Sequence, residues 1–231
     1  MNNKSIKLFL LLGLALLSTK GYSENRCNDA SSNKNCVQIL VESNTGQALK
    51  DLVVYLEPLD GQLLEPNLEH LVINQEGRAF SPYISVSQVN SDVNFVNKDD
   101  ITHHIYSAGS ENKFSFKIKS GETNASVEFN QPAEVAMGCN IHDWMSGYLL
   151  VVNTPYFAKT NTQGYAYFDI TELGKYKIVV WHPQMKSTDN RMIQEASVLP
   201  HSQFSFKLKN EMAGIPLQES DDDFDFLSDY E

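Results

Sequence analysis

Apolar and polar residues alternate in short runs along most of the chain, and no stretch of ten or more residues carries the three-to-four spacing of an amphipathic helix. Phe114-Ser-Phe-Lys-Ile-Lys119 alternates strictly, as does Phe204-Ser-Phe-Lys-Leu208. Successive strand side chains point to opposite faces, so each segment reads as a strand with one buried and one wet face. The likeness of the two segments does not extend outwards, so they are two similar strands and not a repeat. Residues 148–152 are apolar enough for a buried strand. Further strands are expected at 37–41, 52–56, 71–73, 84–86, 93–96, 104–106, 126–129, 134–137, 165–168 and 176–181. Turn chemistry separates them at Asn44-Thr-Gly-Gln47, Glu76-Gly77, Ser120-Gly121-Glu122, Gly164 and Gly174. Residues 57–69, with Pro58, Gly61 and Pro66, read as a loop. Many short strands with Gly, Asn and Pro turns predict an all-β protein built of sandwiches.

Composition agrees and adds limits. The 231 residues are 42% hydrophobic, with 12 Phe and 10 Tyr, enough to bury a core over one large domain or two small ones. The formal charge is −11, so no basic excess is present to displace counterions from nucleic acid. Lys4 and Lys7, the apolar run 8–17 and the small residues 18–23 have the order of a secretory signal peptide over 1–23. The run is short for a membrane span, and no second one follows, so the mature chain is expected to be exported, to a periplasm where the source has an outer membrane, and to lack a span.

Without residues 1–23 the chain holds 15 basic and 29 acidic residues, a balance of −14. Eight of those acids fall at 211–231, a stretch with no base, and this block is expected to be an acidic disordered tail. Its alternative is a short motif in which Phe224, Phe226 and Leu227 anchor a basic partner. Cys27 and Cys36 lie close together in an Asn/Ser-rich stretch over 24–36, where export favours a disulfide. Cys139 is then left unpaired, and an odd cysteine in an exported protein calls for a role.

Cys139-Asn-Ile-His142-Asp-Trp-Met145 supplies one. A thiolate, an imidazole and a thioether recur every three residues and can converge if they lie on a tight loop between strands. Soft sulfur with borderline nitrogen suits copper, which alternates between a soft Cu(I) and a harder Cu(II). Two histidines and a cysteine in a plane with a long axial methionine make a blue-copper electron-transfer site. Upstream, Asn97-Lys-Asp-Asp-Ile-Thr-His103-His104 offers two histidines, of which only one can face the metal from a strand.

These two motifs resemble the cupredoxin family, in particular its plastocyanin- and amicyanin-like branch. There an Asn lies six residues before the first ligand histidine, as Asn97 does before His103, and the Cys-x-x-His-x-x-Met loop is matched at 139–145. The resemblance covers about residues 70–152. It implies a Greek-key β-sandwich and one type 1 copper ion held by His103, Cys139, His142 and Met145. Two departures stand out. His104 occupies the position where relatives often carry an Asn bonded to the Cys loop, while Asn140 follows the Cys. Met137-Gly138 precedes Cys139, where an aromatic is common.

The flanks differ. Residues 37–56 resemble the opening hairpin of transthyretin-like or carboxypeptidase-regulatory-like domains. Their following motifs have close versions at Thr160-Asn-Thr-Gln-Gly164-Tyr-Ala-Tyr167 and Gly174-Lys-Tyr176-Lys-Ile178, after the copper loop. The resemblance implies a second sandwich split as 37–59 plus 153–210, with 70–152 inserted; two tandem domains are the alternative. Exported plastocyanin-like proteins labelled as methylamine-utilisation proteins have a similar arrangement. The function implied is an exported electron carrier and not an enzyme. Its redox partner would dock near His142 and Trp144. Copper storage or delivery, or a binding module in which copper is structural, are the alternatives.

Overall fold

In the computed structural model the described residues are Cys27, 35–109, 112–124 and 126–218; the expected signal peptide lies outside them. Sixteen strands form four sheets and no α-helix occurs among the described residues. The chain is all-β, with the sheets packed as sandwiches. Cys27 and Cys36 are joined by a disulfide, with their Cα atoms 5.2 Å apart.

The first sheet has β1 (Asn35–Glu42) between β13 (Tyr165–Ile170) and β16 (Gln203–Lys207). The second runs β12 (Phe157–Lys159), β2 (Val53–Pro58), β14 (Gly174–Trp181), β15 (Arg191–Val198). Ile39, Val41, Val54, Leu56, Ile178, Val180 and Phe206 fill the space between them. The third sheet runs β5 (Ile84–Gln88), β11 (Ser146–Val152), β10 (Ala133–Cys139), β7 (His103–Ala108), β8 (Ser115–Ile118). The fourth runs β4 (Phe80–Ser81), β3 (Leu71–Gln75), β6 (Asp92–Asn97), β9 (Val127–Glu128). Ile73, Phe95, Ile105, Ile118, Val135, Met137 and Leu149 form the core of this pair, and Cys139 and Met145 belong to it.

A third apolar cluster joins the second sheet to the third: Val53, Tyr55, Val179 and Trp181 meet Ile84, Leu150 and Val152. These are the alternate positions of β2, β14 and β11, whose other faces fill the two sandwich cores. Burial on both faces is why these strands carry unbroken apolar runs where β8 and β16 alternate.

Three strands were not foreseen, β4, β12 and β15. The first two are only two and three residues long. β15 is an edge strand paired solely with β14, and Gln194 and Glu195 sit exposed in its middle, so it shows no alternation. β1 starts at Asn35, ahead of the expected residue 37.

The first part of the acidic stretch is also corrected. Residues 211–218, expected to belong to a free end, are tied down at Met212, Ala213 and Gln218, with the residues between the last two exposed. Met212 packs against the first core, Ala213 N–H donates to Gln184 O at 3.0 Å, and Gln218 bonds Ser146 twice. Only Glu211 of the eight acids lies in this part. The rest of the expected tail, 219–231, lies outside the described residues.

Candidate metal centre

β7 and β10 pair antiparallel with Cys139 opposite Ile105, which sets the end of β10 beside the start of β7. His103 opens β7 on the core-facing register shared with Ile105, and Cys139 closes β10 on the register of Val135 and Met137. The loop 140–145 then turns back into β11, closed by Met145 N–H donating to His142 O at 3.0 Å. It carries His142 back over Cys139. Alternation alone therefore puts His103 inside, fully buried, and His104 outside.

One nitrogen of His103, one of His142 and the sulfur of Cys139 all lie within 4.8 Å of one another. Cys139 Sγ is 3.7 Å from His103 Nδ1 and 3.8 Å from His142 Nδ1. Bonds of about 2.3 Å from an ion to sulfur and about 2.0 Å to nitrogen, opened to roughly 120°, set the donors about 3.7 Å apart. The three side chains thus stand at ligand spacing, and the donor set of two imidazoles and a thiolate fits copper. Met145, 1% exposed, lies in the same core cluster as Cys139. All four residues singled out in the sequence are buried, His142 being 7% exposed. Burial, together with neighbouring His103 and Arg78, pulls the pKa of His142 below the usual imidazole value, which favours the neutral form that a metal needs.

Asp99 went unnoticed in the sequence. Its Oδ2 accepts His103 Nε2–H at 2.8 Å. The carboxylate also accepts the backbone N–H groups of Gly77 at 2.6 Å and Arg78 at 2.9 Å. Burial pushes its pKa up, but these bonds outweigh it and hold the carboxyl below its ordinary range. With Nε2 donating to a carboxylate, Nδ1 of His103 keeps its lone pair directed at Cys139. The spacing of four residues between Asp99 and His103 was the available signal. Asn97 is fully buried and ties this turn together: its Nδ2 donates to Ile101 O and Ile118 O, and its Oδ1 accepts Asp99 N–H.

His104 points away from the cluster. Its Nδ1 accepts from Asn140 Nδ2 at 3.1 Å and its Nε2 bonds Ser115 Oγ at 2.9 Å, while Asn140 N–H donates to His104 O. The link between β7 and the Cys loop is made by this pair. Gly138 belongs to the same crossing: a Cβ there would lie 2.7 Å from the Tyr106 ring.

Outside the cluster, the Trp144 ring lies 5.1 Å from that of His142, and Ile141 beside it is 51% exposed.

No protein-family model matches the sequence, and no curated protein matches it. Among solved structures the chain is similar to a Cu-containing nitrite reductase from Thermus scotoductus SA-01, at 24% identity over 42% of this chain, with a TM-score of 0.34. It spans only 25% of that enzyme's chain. It is similar also to a mutant of amicyanin with Cu(I), at 17% identity over 36% of this chain and 82% of that one, with a TM-score of 0.33. A purple cupredoxin from Nitrosopumilus maritimus matches at 21% identity over 36% of this chain and 99% of that one, with a TM-score of 0.32.

Proposed function

We propose that the protein binds one copper ion through His103, Cys139 and His142, with Met145 as the weaker fourth ligand, and that it carries single electrons. The observation that carries this is the buried thiol held between two imidazole Nδ1 atoms at 3.7 and 3.8 Å. Bound copper would supply a one-electron couple between Cu(II) and Cu(I). The chain's part is to keep the donors where they are. Asp99 fixes the orientation and tautomer of His103. Asn97 and the two strand ends fix the backbone around it. Burial of every donor keeps substrates off the ion, which suits transfer of an electron through the protein edge and not bond-making chemistry. Exposed Ile141 and half-buried Trp144, whose ring lies beside that of His142, form the docking face for a redox partner.

The same reading makes residues 70–152 one unit and 37–59 with 153–210 a second sandwich, a scaffold around it. Support comes from the sheets, since the first two draw on strands before residue 59 and after residue 156. The Cys27–Cys36 disulfide supports export to an oxidising compartment. No helix among the described residues is long and apolar enough to cross a membrane.

The test is the visible spectrum of the Cu(II)-loaded protein beside Cys139→Ser. An intense blue thiolate-to-copper band, absent from the mutant, is the expected result. A colourless protein that prefers zinc would overturn the proposal.

A further inference from the structure

The second sheet ends on β15, the longest outer strand among the described residues. It has eight residues, against two to six in β4, β5, β8, β9, β12, β13 and β16. It matches β14 one residue to one over Arg191–Val198, without a bulge, and holds neither Pro nor Lys. Bulges, prolines and lysines are the usual devices that keep a strand edge from pairing with another chain.

Two backbone bonds fix which groups of β15 face outwards. Leu59 N–H donates to Lys175 O at 2.9 Å, which turns the odd-numbered residues of β14 towards β2. His182 N–H donates to Asn190 O at 3.3 Å, which turns the even-numbered ones towards β15. Their partners in β15 are Met192, Gln194, Ala196 and Val198. The N–H and C=O groups of Ile193, Glu195 and Ser197 therefore point away from the sheet, and they have no partner among the described residues. Arg191 also presents its C=O outwards, while its N–H donates to Thr188 O. Grooves of about 480 and 380 Å³ flank the strand, and Arg191 and Ile193 line both. Ile193 is 56% exposed, and Gln194 and Glu195 beside it are exposed too.

We infer that β15 is the contact of a symmetric dimer, in which it pairs antiparallel with β15 of a second copy of this chain. Charge and register select this partner. With the two-fold axis at Glu195, two carboxylates would stand face to face. With the axis at Gln194, each Ile193 would face a carboxylate. With the axis at Ile193, that residue meets its own copy and Arg191 meets Glu195 on either side, all on one face of the strand. Two backbone bonds then join the Ile193 pair, and each Glu195 N–H donates to Arg191 O of the other copy. The ladder ends at Arg191, where the N–H is already taken. Arg191 also marks where the contact lies, because its side chain pairs with Glu134, five residues or about 17 Å along β10 from Cys139. The metal loop stays open in both copies, and the dimer does not depend on what the metal centre does.

The experiment uses the full mature chain. Sedimentation equilibrium is expected to show a reversible dimer, and the dissociation constant should rise at least about tenfold in Ile193→Lys and in Glu195→Arg. Hydrogen exchange at the Ile193 and Glu195 amides of the wild type should slow as chain concentration rises. Ile193→Cys should give a disulfide-linked dimer on oxidation and Glu195→Cys should not, because only residue 193 faces its own copy. Both side chains are exposed, so the variants should keep the wild-type circular dichroism. A chain that is still monomeric at about 1 mM, with those amides exchanging freely, overturns the inference. Slow exchange at every concentration, as an edge covered by the chain's own residues would give, also overturns it, as does a dimer that Ile193→Lys and Glu195→Arg leave intact.

Discussion

His103 Nε2–H donates to Asp99 Oδ2 at 2.8 Å, and this one bond decides which nitrogen of the buried histidine faces Cys139. The carboxylate is held in turn by two backbone N–H groups of the turn between β3 and β4, so the histidine is braced from a different sheet. Asp99→Asn keeps the shape and removes the charge. Losing an orienting partner of a metal histidine costs about 10–100-fold in metal affinity. Because the negative charge favours Cu(II) over Cu(I), Cu(II) binding should weaken more than Cu(I) binding and the reduction potential should rise. Chelator competition in both oxidation states, with voltammetry, measures this; affinities within about twofold of wild type in both states would show that Asp99 does not brace the site.

The pair His104 and Asn140 leads to a smaller effect. Asn140→Ala removes one exposed side-chain bond to His104 and leaves the backbone bond in place. A bond of this kind contributes about 1 kcal/mol. Global stability should fall by no more than that, while the loop 140–145 loses its side-chain tie to β7. Copper release to a chelator should be several times faster with the absorption spectrum retained. An unchanged release rate would mean that the backbone bond alone holds the loop.

Local chemistry was legible in the sequence where it is carried by residues close together. The 139–145 motif and the alternation at 103–104 lie within single turns or strands, and strand periodicity is enough to say which side chain faces in. Asp99 was missed because its four-residue spacing from His103 does not by itself say that carboxylate and ring meet, and the two amides that hold the carboxylate come from another sheet. β15 was missed because an edge strand with both faces partly wet has no alternation to detect. The pinning of 211–218 was missed because charge was averaged over 211–231, whereas the residues that bond, Met212, Ala213 and Gln218, precede the acidic run. The double burial of β2, β11 and β14 was hinted at by their unbroken apolar runs, but which sheet covers the second face is a long-range fact.

His182 makes stability depend on pH. Burial pulls its pKa down to about 4, only partly opposed by the charge of Asp51. Its Nδ1 accepts Gln184 N–H at 3.1 Å, a bond that protonation there would break. The folded state thus holds it neutral while the unfolded chain, with an ordinary value near 6.5, takes up a proton. Its contribution is present above pH ~6.5 and is lost as pH falls from there towards about 4, by at most ~3 kcal/mol. His182→Asn keeps an acceptor for Gln184 and cannot be protonated. Urea unfolding at several pH values should show a flatter acid limb for the mutant than for wild type; parallel limbs would place the acid sensitivity elsewhere.

The two sandwiches meet through an apolar seam and also through an ion pair, and these should differ sharply in weight. Arg191 of β15 pairs with Glu134 of β10 and donates to Tyr55 Oη, but the two charged side chains are 27% and 33% exposed. A pair so open to water contributes about 1 kcal/mol or less. Trp181 is fully buried in the seam against Tyr148, with ring centroids 6.4 Å apart, and its indole N–H has no partner among the described residues, so it acts by packing alone. Truncating a buried tryptophan costs about 3–5 kcal/mol. Trp181→Ala should therefore lower the unfolding free energy several times more than Glu134→Gln. Because β2, β11 and β14 lend their other faces to the two cores, loosening the seam should also reach both sandwiches. The expected unfolding curve for Trp181→Ala is broader, with separate transitions where wild type shows one. If Glu134→Gln were the costlier change, the ion pair and not the apolar seam would be what joins the halves.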